Sequence, residues 1–330
     1  MNHDSLLKRA RERLNMSLEA LSKATGINVT TLNEIEARRR ILTPLEANKI
    51  SPILEVLAEE LLDDTVGSFE GDRKMKKVDQ TTILTIATHK GGSGKTTISQ
   101  NLAYTMSVNG YNVLLIDTDS QTNLSRSFEL KDAPEDFYTC FVNRKSILEA
   151  IISTEYEHLD IVKSSIKLST IELLMAQMPY REKRMLEVLK PVIECKKYHF
   201  IIIDTNPSLG LLNTSIFNAT DYILLPVEPS SYGVDGLEIF TNHLEMIQAY
   251  HDVKLLGIVL NKVNERTLIT KEVRNVIESL GVGRLFNSFI RQDNDIKNAQ
   301  WNNMPVSVYN KRSRAAQDFT DLMSEVIKNV

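Results

Sequence analysis

A glycine-rich run carries the clearest chemistry in the sequence. It reads Lys90-Gly91-Gly92-Ser93-Gly94-Lys95-Thr96-Thr97 and lies between an apolar segment and a helix-like segment. Glycines let successive backbone N–H groups turn toward one anion, and the positive end of the following helix dipole strengthens that attraction. Lys95 offers a charge for phosphate oxygens, while the Thr96 hydroxyl can ligate Mg²⁺ that bridges them. Residues 90 to 97 therefore predict a phosphate site for a nucleotide bound with Mg²⁺.

Carboxylates follow two further apolar runs. One run, Val113-Leu114-Leu115-Ile116, leads into Asp117 and Asp119, and the other, Phe200-Ile201-Ile202-Ile203, leads into Asp204. Doubly wound sheets place their ligand-binding groups at the carboxyl ends of strands. Asp204 is well placed there to hold Mg²⁺ through a water molecule. The glycine run and these aspartates together predict one three-part nucleotide site.

Strand and helix patterns alternate across the larger part of the chain, and these elements must position the site. Strands are predicted over residues 82–88, 112–117, 159–162, 199–204, 222–226 and 254–261. Helices are predicted over residues 95–109, 183–194, 211–219, 234–250, 271–280 and 315–328. Several strands are continuous apolar runs, which is typical of buried parallel strands. The pattern predicts an α/β fold, with a doubly wound and mostly parallel sheet around a P-loop nucleoside-triphosphatase site.

The glycine run departs from the usual G-x-x-x-x-G-K-[ST] phosphate loop. His89 stands where that pattern has glycine, and Lys90 follows it. With Lys90 the run resembles the deviant Walker A box, KGGxGK[ST], of the ParA/MinD/Soj superfamily. The resemblance implies ATP and Mg²⁺ as cofactors. It also implies that Lys90 reaches across a nucleotide-sandwiched homodimer to the phosphates of the other subunit, so that ATP binding and dimerisation are one event.

The aspartate segments resemble further boxes of the same family. The segment around Asp119 is similar to D-x-D-P-Q-x-N, which implies that Asp119 orients the attacking water and that Asp117 supports Mg²⁺ or its loop. Asp204 matches the Walker B box, D-x-P-P, as the carboxylate that holds Mg²⁺. Ser120 and Asn206 replace prolines of these two boxes. We therefore expect both loops to be less rigid than in relatives.

Further roles come from the same resemblance. Lys90, Lys95 and Asp119 would be the catalytic residues, and hydrolysis would be slow and gated by assembly. Asn261, at the end of a predicted strand, and Arg291 occupy positions where relatives tend to hold the adenine.

The N-terminal part of the chain carries an all-α pattern. Ser17 can cap a helix over residues 18–25, which Gly26 can end. A set of apolar residues wraps around this glycine with the spacing of a helix-turn-helix: Leu21, Ala24, Ile27, Leu32 and Ile35. The stretch resembles the Cro/CI-type fold, which implies a last helix over residues 45–62.

The Cro/CI resemblance places Val29, Thr30 and Glu34 against the major groove and Arg38 and Arg39 near phosphates. Valine can touch a thymine methyl group, but this face has no Arg or Gln for bidentate base contacts. The sequence therefore leaves two roles open for this domain: binding of operator DNA, or dimerisation or protein docking.

A second basic cluster, at residues 310–314, precedes the final predicted helix and includes Arg312 and Arg314. In relatives, basic residues near this position bind nonspecific DNA when the ATP dimer forms. Such phosphate contacts are sensitive to salt. The alternative is a capped helix start that carries surface charges.

Composition limits the possible classes of function. The chain has 330 residues, a formal net charge of -4, 42% hydrophobic residues and 25% charged residues, as in an ordinary globular protein. The net charge gives no global attraction to nucleic acid, so any DNA affinity must come from a local patch. Two cysteines without C-x-x-C spacing argue against a zinc module, a disulfide scaffold or a shared iron–sulfur cluster. No signal-like or membrane-spanning apolar run is present, so a cytoplasmic protein is expected. The resemblance to the ParA family implies that it associates with the nucleoid.

A charged stretch over residues 65–80 is a linker candidate, which separates a helix-turn-helix domain at 1–64 from an ATPase domain at 81–330. The combined pattern predicts a partition ATPase for a plasmid or chromosome. It would dimerise on ATP, bind nonspecific DNA, repress its own operon and be stimulated by a centromere-binding, ParB-like partner. The alternatives are an ATP-responsive transcriptional regulator and a MinD-like membrane-cycling ATPase, which would need a basic amphipathic tail.

Overall fold

The computed structural model describes residues 5–36, 44–57, 60–61, 80–128, 130, 133–265 and 267–330. The chain divides into two compact units, Met1–Lys76 and Lys77–Val330. The predicted domain limits at 64 and 81 stay a prediction, because residues 65–79 of the proposed linker lie outside the described residues.

The first unit contains the short helices α1 (Leu6–Arg13), α2 (Leu18–Thr25), α3 (Val29–Glu36) and α4 (Pro44–Leu54). The predicted second helix is confirmed, since Ser17 caps α2 and Gly26 ends it with a φ of +70°. Apolar side chains of this unit, from the helices and from the segments beside them, form a common core: Leu7, Ala10, Leu21, Ile27, Leu32, Ile35, Ala47, Ile50, Leu54 and Leu61.

The helix predicted over residues 45–62 is interrupted. A continuous helix over residues 45–62 is wrong, because α4 ends at Leu54 and Glu55 takes a left-handed φ of +54°. Pro52 lies inside the last turn of α4. A proline has no amide to donate to the preceding turn, so it weakens the helix where it ends.

The second unit is built on an eight-stranded sheet in the order β3-β4-β2-β5-β1-β6-β7-β8. The strands are β1 (Thr82–Ile86), β2 (Val113–Asp117), β3 (Ile151–Ser153), β4 (Leu159–Val162), β5 (Phe200–Asp204), β6 (Tyr222–Val227), β7 (Lys254–Val263) and β8 (Leu285–Arg291). All neighbouring pairs are parallel except β3 with β4. The predicted doubly wound, mostly parallel sheet is confirmed, with β1 and β5 at its centre.

Helices connect these strands and cover both faces of the sheet. They are α5 (Lys95–Val108), α6 (Asn123–Arg126), α7 (Phe137–Val142), α8 (Ile171–Ala176), α9 (Arg184–Glu194), α10 (Leu211–Phe217), α11 (Ser231–Gln248), α12 (Leu268–Leu280), α13 (Asn294–Trp301), α14 (Val306–Tyr309) and α15 (Arg314–Asn329). The six helices predicted from periodicity are present, with ends that shift by up to three residues.

Both outer strands, β3 and β8, were missing from the sequence prediction. β3 has three residues, and β8 pairs with β7 through an irregular register. Asn287 and Ser288 interrupt the apolar pattern of β8, and their amides donate to the Glu325 carboxylate of α15 rather than continuing a regular ladder. Short or irregular edge strands give a weak sequence signal, because only one side of them is paired.

The C-terminal helix α15 packs on the sheet. Its apolar residues, among them Phe319, Leu322 and Val326, are fully buried against α5 and β8. This packing leaves the helix no free apolar face of the kind that enters a lipid interface. In the part of the chain that the structure describes, no helix has both the length and the hydropathy to cross a bilayer.

Candidate nucleotide site

The glycine run forms a tight loop between β1 and α5. Gly92 and Gly94 take left-handed φ angles of +73° and +93°, which L side chains rarely adopt. Gly94 also touches Asn261 so closely that a Cβ atom there would lie 2.0 Å from the Asn261 amide nitrogen. Cβ atoms at Gly91 or Gly92 would meet open space. Glycine at 94 is thus required twice, by backbone angle and by contact.

The loop has the donors that a polyphosphate needs. Within the described part of the chain, the amides of Gly91, Gly92, Ser93 and Gly94 donate to no protein acceptor. The next amides belong to the first turn of α5, where a helix leaves its N–H groups unpaired. Unpaired N–H groups around a glycine loop fit the oxygens of a phosphate chain.

Lys95, Thr96 and Asp204 meet below this loop. Lys95 is almost completely buried, and this burial lowers its pKa against the opposing pull of Asp204 and Asp119. The Thr96 hydroxyl donates to Asp204 Oδ2 over 2.8 Å. The Ser99 hydroxyl, one turn later, donates to Asp204 Oδ1 over 3.0 Å. A hydroxyl and a carboxylate beside a phosphate cradle are the oxygen donors that Mg²⁺ takes in such sites.

Asp117 and Asp204 end the neighbouring strands β2 and β5 in direct register. Burial raises the pKa of Asp204 to about 7, helped by repulsion from Asp117 and opposed by the Thr96 and Ser99 hydroxyls. Burial likewise raises the pKa of Asp117 to about 6, against hydrogen bonds from Ser125. Two buried acids this close favour the binding of a cation between or beside them.

Asp119 lies at the rim of the same site, two residues beyond β2. Its Oδ1 accepts the Gln121 amide over 3.0 Å, and its carbonyl oxygen accepts the Ser164 hydroxyl over 2.6 Å. Within the described residues, no hydrogen bond joins the Asp119 side chain to Asp204. The proposed role for Asp119 in orienting water is therefore compatible with its place, and stays a prediction.

Lys90 points to the start of α11. Its Nζ donates to Ser230 Oγ over 3.4 Å and lies 3.8 Å from Glu228 Oε2. Lys262, which takes a φ of +57°, lies 3.6 Å from the same carboxylate and donates to the Gly92 carbonyl oxygen over 2.7 Å. Glu228 thus sits between two lysines at the mouth of the loop.

The two predicted adenine contacts have protein partners in this structure. Asn261 Nδ2 donates to the Ser93 carbonyl oxygen over 2.6 Å, so it braces the loop. The Arg291 guanidinium pairs with the buried Asp318 over 2.5 Å and with Glu265 over 3.6 Å. Arg291 and Arg314 line one cavity of about 230 Å³ at the ends of β7 and β8. The structure therefore brings these two arginines together, although the sequence predicted that Arg291 contacts adenine and that Arg314 contacts DNA.

The predicted DNA contacts fall partly within the described residues. On α3, Thr30 is exposed and Val29 is half-buried, while the side chain of Glu34 and both Arg38 and Arg39 lie outside the described residues. The sequence reading passed over Asn33, an exposed amide on the same helix. Arg312 and Arg314 are exposed in the second unit, before and at the start of α15.

Other site residues escaped the sequence reading because no motif marks them. Ser99, Lys262 and Ser164 reach the site from α5, β7 and the end of β4. Thr97, which belongs to the glycine run, faces away and accepts the Gln300 side-chain amide. One turn of helix separates Ser99 from Lys95, and that spacing was the one available signal for it.

The fold and the site define a P-loop nucleotide-binding protein. A family model described as an AAA domain matches residues 81–256, and a helix-turn-helix model matches residues 7–61. The chain belongs to the ParA/MinD family of ATPases, as a ParA/Soj-type member with an N-terminal helix-turn-helix domain. The resemblance inferred from the Lys90 box is confirmed.

Individual relatives agree with this assignment. The sporulation initiation inhibitor protein Soj of Bacillus subtilis is 30% identical over 251 residues, which cover 75% of this chain and 98% of Soj. The chromosome partitioning protein ParA of Myxococcus xanthus is 27% identical over 250 residues, or 74% of this chain and 88% of that protein. A solved structure of cobyrinic acid a,c-diamide synthase from Mycobacterium smegmatis, with bound ADP and magnesium, is 20% identical. It superposes with a TM-score of 0.66 over 75% of this chain and 94% of its own, which shows a shared fold.

Proposed function

We propose that this chain binds ATP with Mg²⁺ and hydrolyses it slowly, as a dimerising partition ATPase. The hydrogen bond from Thr96 to Asp204 carries the proposal, because it places two Mg²⁺ ligands directly below a loop of unpaired amides. Within the described residues, no group of three or more His, Cys, Asp or Glu side chains forms a metal cluster. That fits Mg²⁺, which keeps several waters and takes only one or two protein carboxylates beside substrate phosphates.

The residues divide the work of hydrolysis between binding, orientation and charge. The amides of Gly91 to Gly94 and the Lys95 ammonium would hold the phosphates, and Thr96 and Asp204 would hold the metal. Bound Mg²⁺ supplies neutralisation of the negative charge that develops on the γ-phosphate. Asp119 would orient the attacking water, with Asp117 and Ser125 fixing its loop. Lys90 from a partner subunit would add the last positive charge, so turnover would depend on assembly.

The cellular role extends from this site. We expect the ATP dimer to bind nonspecific DNA through basic residues such as Arg312 and Arg314 and to associate with the nucleoid. A ParB-like, centromere-binding partner would stimulate hydrolysis and release the protein. The helix-turn-helix unit would bind operator DNA and repress the protein's own operon, with α3 in the major groove. The partition role of the Myxococcus relative supports this proposal.

One binding experiment tests the switch. Affinity for arbitrary duplex DNA is measured with ATP, with ADP and without nucleotide, for the wild type and for Lys95→Ala. We expect tight, salt-sensitive binding only for wild type with ATP, because Lys95 is the buried cation of the phosphate site. Binding that needs no ATP and survives the substitution would contradict the switch.

A second experiment tests the first unit. Footprinting of the upstream region of its own gene should show protection that disappears when residues 1–62 are deleted. Equal protection without these residues would contradict operator binding by the helix-turn-helix. The match of a helix-turn-helix model to residues 7–61 also favours a second candidate, an ATP-responsive transcriptional regulator. That candidate predicts operator binding without any ATP-dependent binding to arbitrary DNA.

A further inference from the structure

Ser164 lies just beyond the end of β4 and reaches two parts of the aspartate loop that follows β2. The parallel register pairs Ile116 with Val162, so the segments that follow the two strands run side by side. The Ser164 hydroxyl donates to the Asp119 carbonyl oxygen over 2.6 Å. Its amide donates to Ser125 Oγ over 2.9 Å.

Ser125 passes this connection on to the buried carboxylate. Its hydroxyl donates to Asp117 Oδ2 over 2.7 Å, and its amide donates to the same oxygen over 2.8 Å. Ser164 is therefore joined to Asp119 directly and to Asp117 through one hydroxyl. Ser164 itself is only 7% exposed, so water competes little for these bonds.

The loop needs such a hold because it lacks the proline of the family box. Ser120 follows Asp119, and within the described residues its amide donates to no protein acceptor. A proline at 120 would fix one backbone angle and restrict Asp119 to extended conformations. A serine at 120 imposes neither restriction, so the backbone conformation of Asp119 depends on the hydrogen bonds that Asp119 makes.

We propose that Ser164 is a positioning residue for Asp119 and that its hydrogen bonds hold the loop in which Ser120 replaces the proline of the family box. The inference rests on the proposed ATPase function, because Asp119 matters only if it orients water. Ser164 touches no reacting atom and acts through the main chain of Asp119.

Steady-state ATP hydrolysis by the full chain tests the assignment with three variants. Ser164→Ala should lower kcat about three- to tenfold and leave KM for ATP within about twofold. This is the effect expected when a residue that orients the attacking water loses one buried hydrogen bond. Ser165→Ala is the matched control, since this neighbouring hydroxyl accepts the Lys167 amide and does not touch the loop. Adding Ser120→Pro to Ser164→Ala should restore most of kcat, because proline supplies the lost restriction. A Ser164→Ala kcat equal to that of the control, or no recovery with Ser120→Pro, would overturn the proposal.

Amide hydrogen exchange tests whether Ser164 holds the loop, and it does not require ATP hydrolysis. The segment 117–125 should exchange faster in Ser164→Ala than in Ser165→Ala and in wild type, and unchanged exchange would overturn the assignment. If wild type does not hydrolyse ATP at all, the proposed function fails, while the exchange experiment still decides whether Ser164 holds the loop.

Discussion

Asp117 and Asp204 stand next to each other at the ends of two central strands, and both carboxylates are completely buried. Among the described residues no arginine pairs with either carboxylate. Asp204 accepts the Thr96 and Ser99 hydroxyls, and Asp117 accepts the Ser125 hydroxyl and the amides of Asp119 and Ser125. This arrangement makes the pair costly to ionise until a cation arrives. The metal site is thus also a source of pH dependence.

Replacing Asp204 by Asn should stabilise the protein without nucleotide or Mg²⁺ at pH 8. Because the pKa of Asp204 is raised to about 7, the folded state holds more protons than the unfolded state between about pH 4 and 7, so stability falls as pH rises through that window. Asn removes this loss, and Tm at pH 8 should rise by about 2–4 °C or more. Thermal unfolding of both proteins at pH 4.5 and pH 8 measures the effect.

The same variant should lose Mg²⁺-dependent nucleotide binding.

In the thermal unfolding experiment, Asp235→Asn, on the exposed side of α11, is the control for loss of one acidic residue. If Asp204→Asn and Asp235→Asn gave the same Tm at pH 8, ionisation of the buried Asp204 carboxylate would not be what destabilises the folded protein.

Gly94→Ala should abolish ATP binding, whereas Gly91→Ala should change it little. An alanine at position 94 would have to adopt a φ of +93°, and its Cβ would lie 2.0 Å from the Asn261 amide nitrogen. A Cβ at Gly91 meets open space. Left-handed backbone costs a non-glycine residue about 1 kcal/mol or more, before the contact is counted. Calorimetric titration with an ATP analogue distinguishes the two alanines, and equal affinities would contradict the geometry.

Glu228→Gln should raise ATP-dependent dimerisation modestly, by about twofold. Glu228 lies within 4 Å of the ammonium groups of Lys90 and Lys262, and all three side chains are about one-third or more exposed. Ion pairs this exposed contribute at most about 1 kcal/mol, so freeing Lys90 has a small effect. Analytical ultracentrifugation across ATP concentrations measures the midpoint, with the exposed Glu238→Gln of α11 as the matched control. A midpoint that moves equally in both variants would assign the effect to net charge.

Glu36→Gln should destabilise the helix-turn-helix unit by about 1–3 kcal/mol. Arg11 donates to both carboxylate oxygens of Glu36, over 2.6 and 2.9 Å, and the two side chains are 12% and 6% exposed. Losing the charge leaves a largely buried guanidinium without its closest anionic partner. Limited proteolysis of the full chain should cut this unit sooner in Glu36→Gln than in Glu60→Gln, whose side chain is exposed. Equal cleavage rates would show that the pair does not hold the unit.

Local signals account for what the sequence predicted well. The buried strands ending at Asp117 and Asp204 are continuous apolar runs, and two glycines of the loop before Lys95, Gly92 and Gly94, take left-handed φ angles that favour glycine. The helix α2 begins at a serine cap and ends at Gly26, so its bounds were readable. The end of α4 was missed although Pro52 lies in its last turn, because a proline near a helix end does not fix the left-handed angle that Glu55 takes.

By itself the sequence determined the phosphate loop, the aspartates at the strand ends, the parallel sheet and the helix-turn-helix, because each depends on residues close together in the chain. Only the tertiary structure decided the partners that come from far away. Glu228 and Lys262 join Lys90 at the loop, Asn261 presses against Gly94, and Ser164 holds Asp119. These contacts depend on strand order and register, which place residues from separate strands at one edge of the sheet, and no local pattern of residue types contains that information.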